Sequence, residues 1–206
     1  MTKRVVLALL VLSSVAFAGT LGVDFSSPGA QSSSSVWSLG YQFVANSAST
    51  VTALGTFDYN QDGFAQDQQV GLWNASGTLL ASTYVSNADP LQGFWRFHAI
   101  SGVTLTPGAT YFVASQGGEG YTFETSGFTV APEITYVEDA YHYIGTTQNN
   151  PLFFPDTTDG ITQAQGGAFF GGNIEFGTAT PEPGTLVLLG SAVVGLAGMA
   201  RRKLNL

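Results

Sequence analysis

The chain has 206 residues, a formal net charge of −8 and no cysteine, which excludes disulfide scaffolds, thiolate metal centres and cysteine nucleophiles. Its cations are Lys3, Arg4, Arg96, Arg201, Arg202 and Lys203, so residues 19–180 set thirteen acids against Arg96 alone. A surface that acidic repels a phosphate backbone and excludes nucleic acid as a partner, while 44% hydrophobic and 13% aromatic residues support a folded interior.

At the N-terminus, Lys3 and Arg4 precede an apolar run from Val5 to Val15 and then Ala16-Phe17-Ala18, the charged, apolar and small-residue parts of a secretory signal in order. The run is shorter than the roughly 20 apolar residues that a membrane span needs. Residues 1–18 are therefore read as a signal peptide, cut by signal peptidase after Ala18. A chain without thiols also suits an oxidising compartment.

Residues 19–180 read as a single all-β domain. Segments rich in β-branched and aromatic residues recur between turn signals: Val36 to Val44, Thr50 to Phe57, Gln68 to Asn74, Thr78 to Val85, Phe94 to Ile100, Ala109 to Ser115, Tyr121 to Val130, Glu133 to Ile144, and Ala168 to Phe176. With no amphipathic helical pattern of useful length, an antiparallel β-sandwich or jelly roll is expected. Asn74-Ala75-Ser76-Gly77 predicts a hairpin over Gln69 to Val85, and Thr106-Pro107-Gly108 has the order of a type II turn. Gly145 to Gly167 is expected to be a long loop, a common seat of function.

Five kinds of candidate chemistry emerge. Asp58, Asn60 and Asp62 alternate before Gly63 as in the first half of a calcium loop, and Asp67 would add a ligand; calcium is the candidate cation. Gln69 replaces the bidentate Glu of the EF-hand, and the alternative is an Asx-rich turn with no metal. Trp37, Trp73 and Trp95, with Tyr121, Tyr141 and Tyr143, suit a stacking platform for sugars, although core packing explains aromatic residues in strands better. Glu133 with Glu138 is a carboxylate pair of the type used in glycoside hydrolysis, for which solvated acids are the simpler account. His98 and His142 are the sole histidines and belong to no catalytic motif, and Asn74-Ala75-Ser76 is a glycosylation sequon placed where turn chemistry suffices.

The C-terminus reads Pro181-Glu182-Pro183-Gly184, an apolar stretch from Thr185 to Ala200, and Arg201-Arg202-Lys203. As a helix that stretch is about 24 Å long, short for a permanent span, and the basic end holds the terminus in the cytoplasm. Pro181, Glu182, Pro183, the glycine-containing helix, and Arg201 with Arg202 together resemble the PEP-CTERM sorting signal of Gram-negative bacteria; a simple membrane anchor is the alternative. The resemblance implies that residues 181–206 are a PEP motif, a short transmembrane helix and a basic tail, recognised and cut by a membrane protease, an exosortase. The protein is then exported, held transiently in the inner membrane and delivered to the cell surface or beyond. Val70-Gly71-Leu72-Trp73, Gly77 to Ser82, Val103 to Val113 and Phe169 to Phe176 resemble, in order, an uncharacterised β-sandwich domain found in PEP-CTERM proteins, which implies a fold and a surface setting. The expected function is a non-enzymatic structural or adhesive role at the surface or in the extracellular matrix. The alternative is a carbohydrate-binding module with extracellular polysaccharide as partner, and a polysaccharide hydrolase comes third.

Overall fold

Alternation along three strands supplies one wall of the core. Tyr41, Phe43 and Ala45 are buried in Trp37–Ala45 (β4), Val70 and Leu72 in Gln68–Asn74 (β6), and Tyr111 and Val113 in Thr110–Gln116 (β10). A period of two puts each set on one face of its strand. The computed structural model describes residues 19–32, 37–117, 120–124, 127–143, 145, 151–162 and 168–177. In it these strands lie within a six-stranded antiparallel sheet ordered Thr157–Thr158 (β14), Ile134–Tyr143 (β13), β4, β10, β6, Leu79–Val85 (β7).

The facing wall is a five-stranded sheet ordered Thr20–Leu21 (β1), Gly172–Phe176 (β16), Thr50–Phe57 (β5), Trp95–Thr104 (β9), Leu91–Gln92 (β8). Its Val51, Leu54, Phe57, Trp95, Phe97 and Ile174 meet the first set in one hydrophobic core. Two small pairings close the sandwich: Ala168–Phe170 (β15), Tyr121–Glu124 (β11) and Ala30–Ser32 (β3) in one, and Thr129–Val130 (β12) with Val23–Asp24 (β2) in the other. Rings fill the space between them, Phe25 against Trp95 at 5.6 Å and Phe128 against Phe170 at 5.0 Å. Each such ring, fully buried, is worth about 1.5–3 kcal/mol. The fold is thus the expected antiparallel sandwich, and among the described residues the sole helical element is the short 3-10 turn Tyr59–Gln61.

Two expected strands prove to be divided, each by a change of sheet. Tyr121 to Val130 splits into β11 and β12, and Ala168 to Phe176 splits at Gly171 into β15 and β16. At Gly172 the two walls approach closely: a side chain there would strike the backbone of Ala114 and Ser115. Thr56 Oγ1 ties the layers by donating to Ser115 Oγ at 3.0 Å. A β-bulge in β13 between Tyr136 and Glu138 shifts the register against β4. Tyr136 stands opposite Phe43 before it, and Asp139 opposite Tyr41 after it. The bulge thus turns Asp139, Tyr141 and Tyr143 toward the inner face that even-numbered residues would otherwise occupy.

Within the long loop, Phe153 and Phe154 pack against the outer face of the six-stranded sheet, and Thr157–Thr158 extend that sheet as β14. Phe153 N donates to Ser38 Oγ at 3.0 Å, and the Phe154 ring meets Phe112 at 5.1 Å and Trp73 at 6.1 Å. The expectations for residues 1–18 and 181–206, including Ala16, Ala18, Pro181, Glu182, Pro183, Arg201 and Arg202, lie outside the described residues.

Candidate functional site

The acidic glycine loop follows β5. Asp58 is fully buried; its Oδ2 accepts from Arg96 Nε at 2.7 Å and its Oδ1 from the Gly63 amide at 3.0 Å. Arg96 also donates to the Asp89 carbonyl at 3.0 Å. A buried charge requires such a partner, and this is the lone cation of residues 19–180 meeting its counter-ion. Asn60, at φ 63°, forms the turn in the left-handed region, and the side chains of Asn60, Asp62 and Asp67 are exposed. A cation at this loop would compete with Arg96 for Asp58, and among the described residues no three His, Asp or Glu side chains group to hold a metal.

The three tryptophans have separate fates. Trp95 is core, Trp73 is buried under the loop at Phe154, and Trp37 is half-buried at the mouth of a cleft of about 260 Å³. Trp37, Leu39, Tyr121, Tyr141, Asp159 and Phe169 line that cleft. Trp37 and Leu39 continue the face of β4 that carries Tyr41 and Phe43 into the core. Across the ladder, Tyr141 stands opposite Leu39 and Tyr143 opposite Trp37, with the Trp37 ring edge-on to Tyr141 at 5.6 Å and 4.7 Å from Tyr143. Tyr121 and Phe169, 6.0 Å apart, come from β11 and β15. The open end of the sandwich is therefore walled by rings from two sheets.

Beside the cleft lies a pair of carboxyl groups that composition does not single out. Asp139 is fully buried opposite Tyr41, with Oδ1 unpartnered among backbone and side-chain donors, and Oδ2 accepts a long bond of 3.4 Å from the Phe169 amide. Burial first, then its contact with the Asp159 carboxyl, pushes the Asp139 carboxyl up to about 8. At neutral pH Asp139 therefore keeps its proton and donates it toward Asp159. Two carboxyl groups in hydrogen-bond contact stand closer than the roughly 5–9.5 Å used by glycosidases, retaining or inverting. Glu138 stands opposite Gln42 in the ladder, before the shift that sets Asp139 opposite Tyr41.

Neither histidine reaches the cleft lining. His98 Nδ1 is 2.8 Å from Asp89 Oδ1, and His142 Nδ1 is 2.8 Å from Asp156 Oδ1 with its ring stacked on Phe153. The His142 contact holds the exposed Asp156 carboxyl below its ordinary value. Asn74 Oδ1 accepts from the Ser76 and Thr78 amides at 3.1 and 2.9 Å, so the sequon is an Asx turn.

The profile of a family described as a domain of unknown function (DUF4082) matches residues 24–170, and that of the PEP-CTERM protein-sorting motif matches residues 179–203. No curated protein and no solved structure matches the chain. The sorting motif marks the chain for export, for exosortase processing at the membrane, and for the cell surface or the exterior beyond it.

Proposed function

The chain belongs to the DUF4082 family and carries a PEP-CTERM motif, and on that premise we propose that it is a non-catalytic surface protein with a structural or adhesive role, which holds extracellular polysaccharide in its aromatic cleft. The observation that carries this reading is the pair of ring walls, Trp37 with Tyr141 and Tyr121 with Phe169, around about 260 Å³. Aromatic faces present flat apolar area to the C–H face of a sugar ring, and a few convergent polar groups then fix its orientation. Asp159 supplies an acceptor for hydroxyls at the rim. Thirteen acids against one Arg repel uronates and sulfated sugars, so the matching ligand is a neutral saccharide.

Glycan-array binding followed by titration calorimetry tests it. W37A and Y141A are expected to weaken binding of a neutral glycan at least tenfold while moving the melting point little, because both rings are partly exposed. Absence of binding to any neutral glycan, or equal affinity in both variants, would leave a structural role without the sugar.

A further inference from the structure

Among the described residues, Glu175 in β16 is a buried acid without a cation. It is 1% exposed, and neither carboxylate oxygen has a well-formed hydrogen bond to a described residue. Burial raises its pKa, and the one opposing influence is the nearby Gly19 amide. An ionised carboxylate in that setting calls for a positive partner. The composition leaves none to find: Arg96 is held by Asp58, His98 by Asp89 and His142 by Asp156, and residues 19–180 contain no other cationic side chain.

The same carboxylate lies against the residue at which the mature chain is expected to start. In the β1 to β16 ladder Thr20 is opposite Phe176 and Leu21 opposite Glu175. A methyl group added to Gly19 would overlap the Glu175 carboxyl, so glycine alone lets the backbone come this close. Two residues earlier on the same face, Asn173 clasps the next turn of the N-terminal segment, Oδ1 accepting from the Val23 amide at 3.1 Å and Nδ2 donating to the Val23 carbonyl at 2.7 Å. Gln92 Nε2 holds the Gly19 carbonyl at 3.3 Å.

We propose that removal of the signal peptide completes this site: the new α-ammonium of Gly19 pairs with Glu175 and locks the first strand of the mature protein onto the closing strand. The inference rests on cleavage after Ala18 and is independent of sugar binding. Signal peptidase hydrolyses the Ala18–Gly19 bond with one water, leaving a carboxylate on Ala18 and an amine on Gly19 that is protonated at neutral pH. Before the cut that nitrogen is an amide and carries no charge. The precursor therefore keeps a buried acid unneutralised, and export exchanges that defect for an ion pair.

Trace acetylation across a pH series, read by mass spectrometry on the exported protein, measures the pKa and reactivity of its terminal amine. Once residues 1–18 are gone the other amine is Lys203, in the tail. The Gly19 amine is expected to titrate about one unit above the usual value of about 7.7–8.0 and to react more slowly than a free peptide. E175Q should return both to peptide values. The other acid lining the groove at Gly19 is Asp24, whose Oδ1 accepts from the Phe25 amide at 2.9 Å, and D24N should change neither. Should E175Q fail to fold, a chain engineered to retain Ala18 as its first residue moves the charge one residue outward and should react like a peptide. Equal values in the parent and E175Q, or in the parent and the chain that retains Ala18, would overturn the ion pair, and an intact mass placing the first residue anywhere but Gly19 would overturn the proposal at its cleavage step.

Discussion

Replacing Asp58 with Asn leaves the Arg96 guanidinium, 14% exposed, beside a neutral amide. Removing one member of a buried ion pair costs about 3–5 kcal/mol, and chemical denaturation of D58N should show a loss of that order. The loop acids farther along behave differently. D62N removes an exposed carboxylate and should change stability by less than about 0.5 kcal/mol. The spacing of Asp58, Asn60 and Asp62 suits a cation, whereas the fold spends Asp58 on Arg96, a pairing across 38 residues that no local pattern announces. A melting point raised by millimolar calcium, and no longer raised in D62N, would establish the loop as a cation site; equal midpoints with calcium and with chelator would leave it a turn.

At the scale of elements, the hairpin joining β6 and β7 illustrates how much local chemistry can specify. Gly77 sits at φ 77° and its amide donates to the Asn74 carbonyl at 3.0 Å, while the register shifts between Leu72 and Trp73. This is a turn closed by a glycine in the left-handed region, as Asn-x-x-Gly between apolar runs implies. G77A should cost about 1–2 kcal/mol, and N74A about 1 kcal/mol through its lost amide contacts, both measurable by denaturant unfolding. Thr106-Pro107-Gly108 was equally readable: the Ala109 amide donates to the Thr106 carbonyl at 3.1 Å, with Gly108 at φ 79°. The strands β5 and β6 match their expected ends for the same reason, since turn residues bound them on both sides. The bulge at Val137 was not readable, because Ile134–Tyr143 carries no glycine or proline to show where one residue is left over. It is nevertheless what carries Tyr141 to the cleft and makes Asp139, instead of Glu138, the acid beside it. Gly171 likewise marks a change of sheet that depends on a partner strand more than a hundred residues away.

At the scale of the whole molecule, buried acids set the pH response. The folded state holds the Asp139 proton up to about pH 8, whereas an unfolded chain releases it near about 3.9. Its contribution to stability is therefore full below about pH 4 and is lost as pH rises toward 8. Melting points should fall over that window, and D139N, which keeps the shape without the charge, should flatten the fall; an unchanged profile would show that Asp139 and Asp159 do not share a proton.

The scarcity of cations has a last consequence, for survival outside the cell. Trypsin-like proteases cut after Lys or Arg, and residues 19–180 offer them Arg96 and nothing else. That residue lies in β9, paired with Thr56 on one side and Leu91 on the other. A protease must be given an extended, unpaired segment, so this bond becomes available only when the five-stranded sheet comes apart. Folded protein should resist trypsin, and each molecule that unfolds should yield two fragments, cut at the Arg96–Phe97 bond. A domain that meets its environment beyond the reach of chaperones is thus protected by composition as well as by stability, and the yield of one cut counts how often it opens.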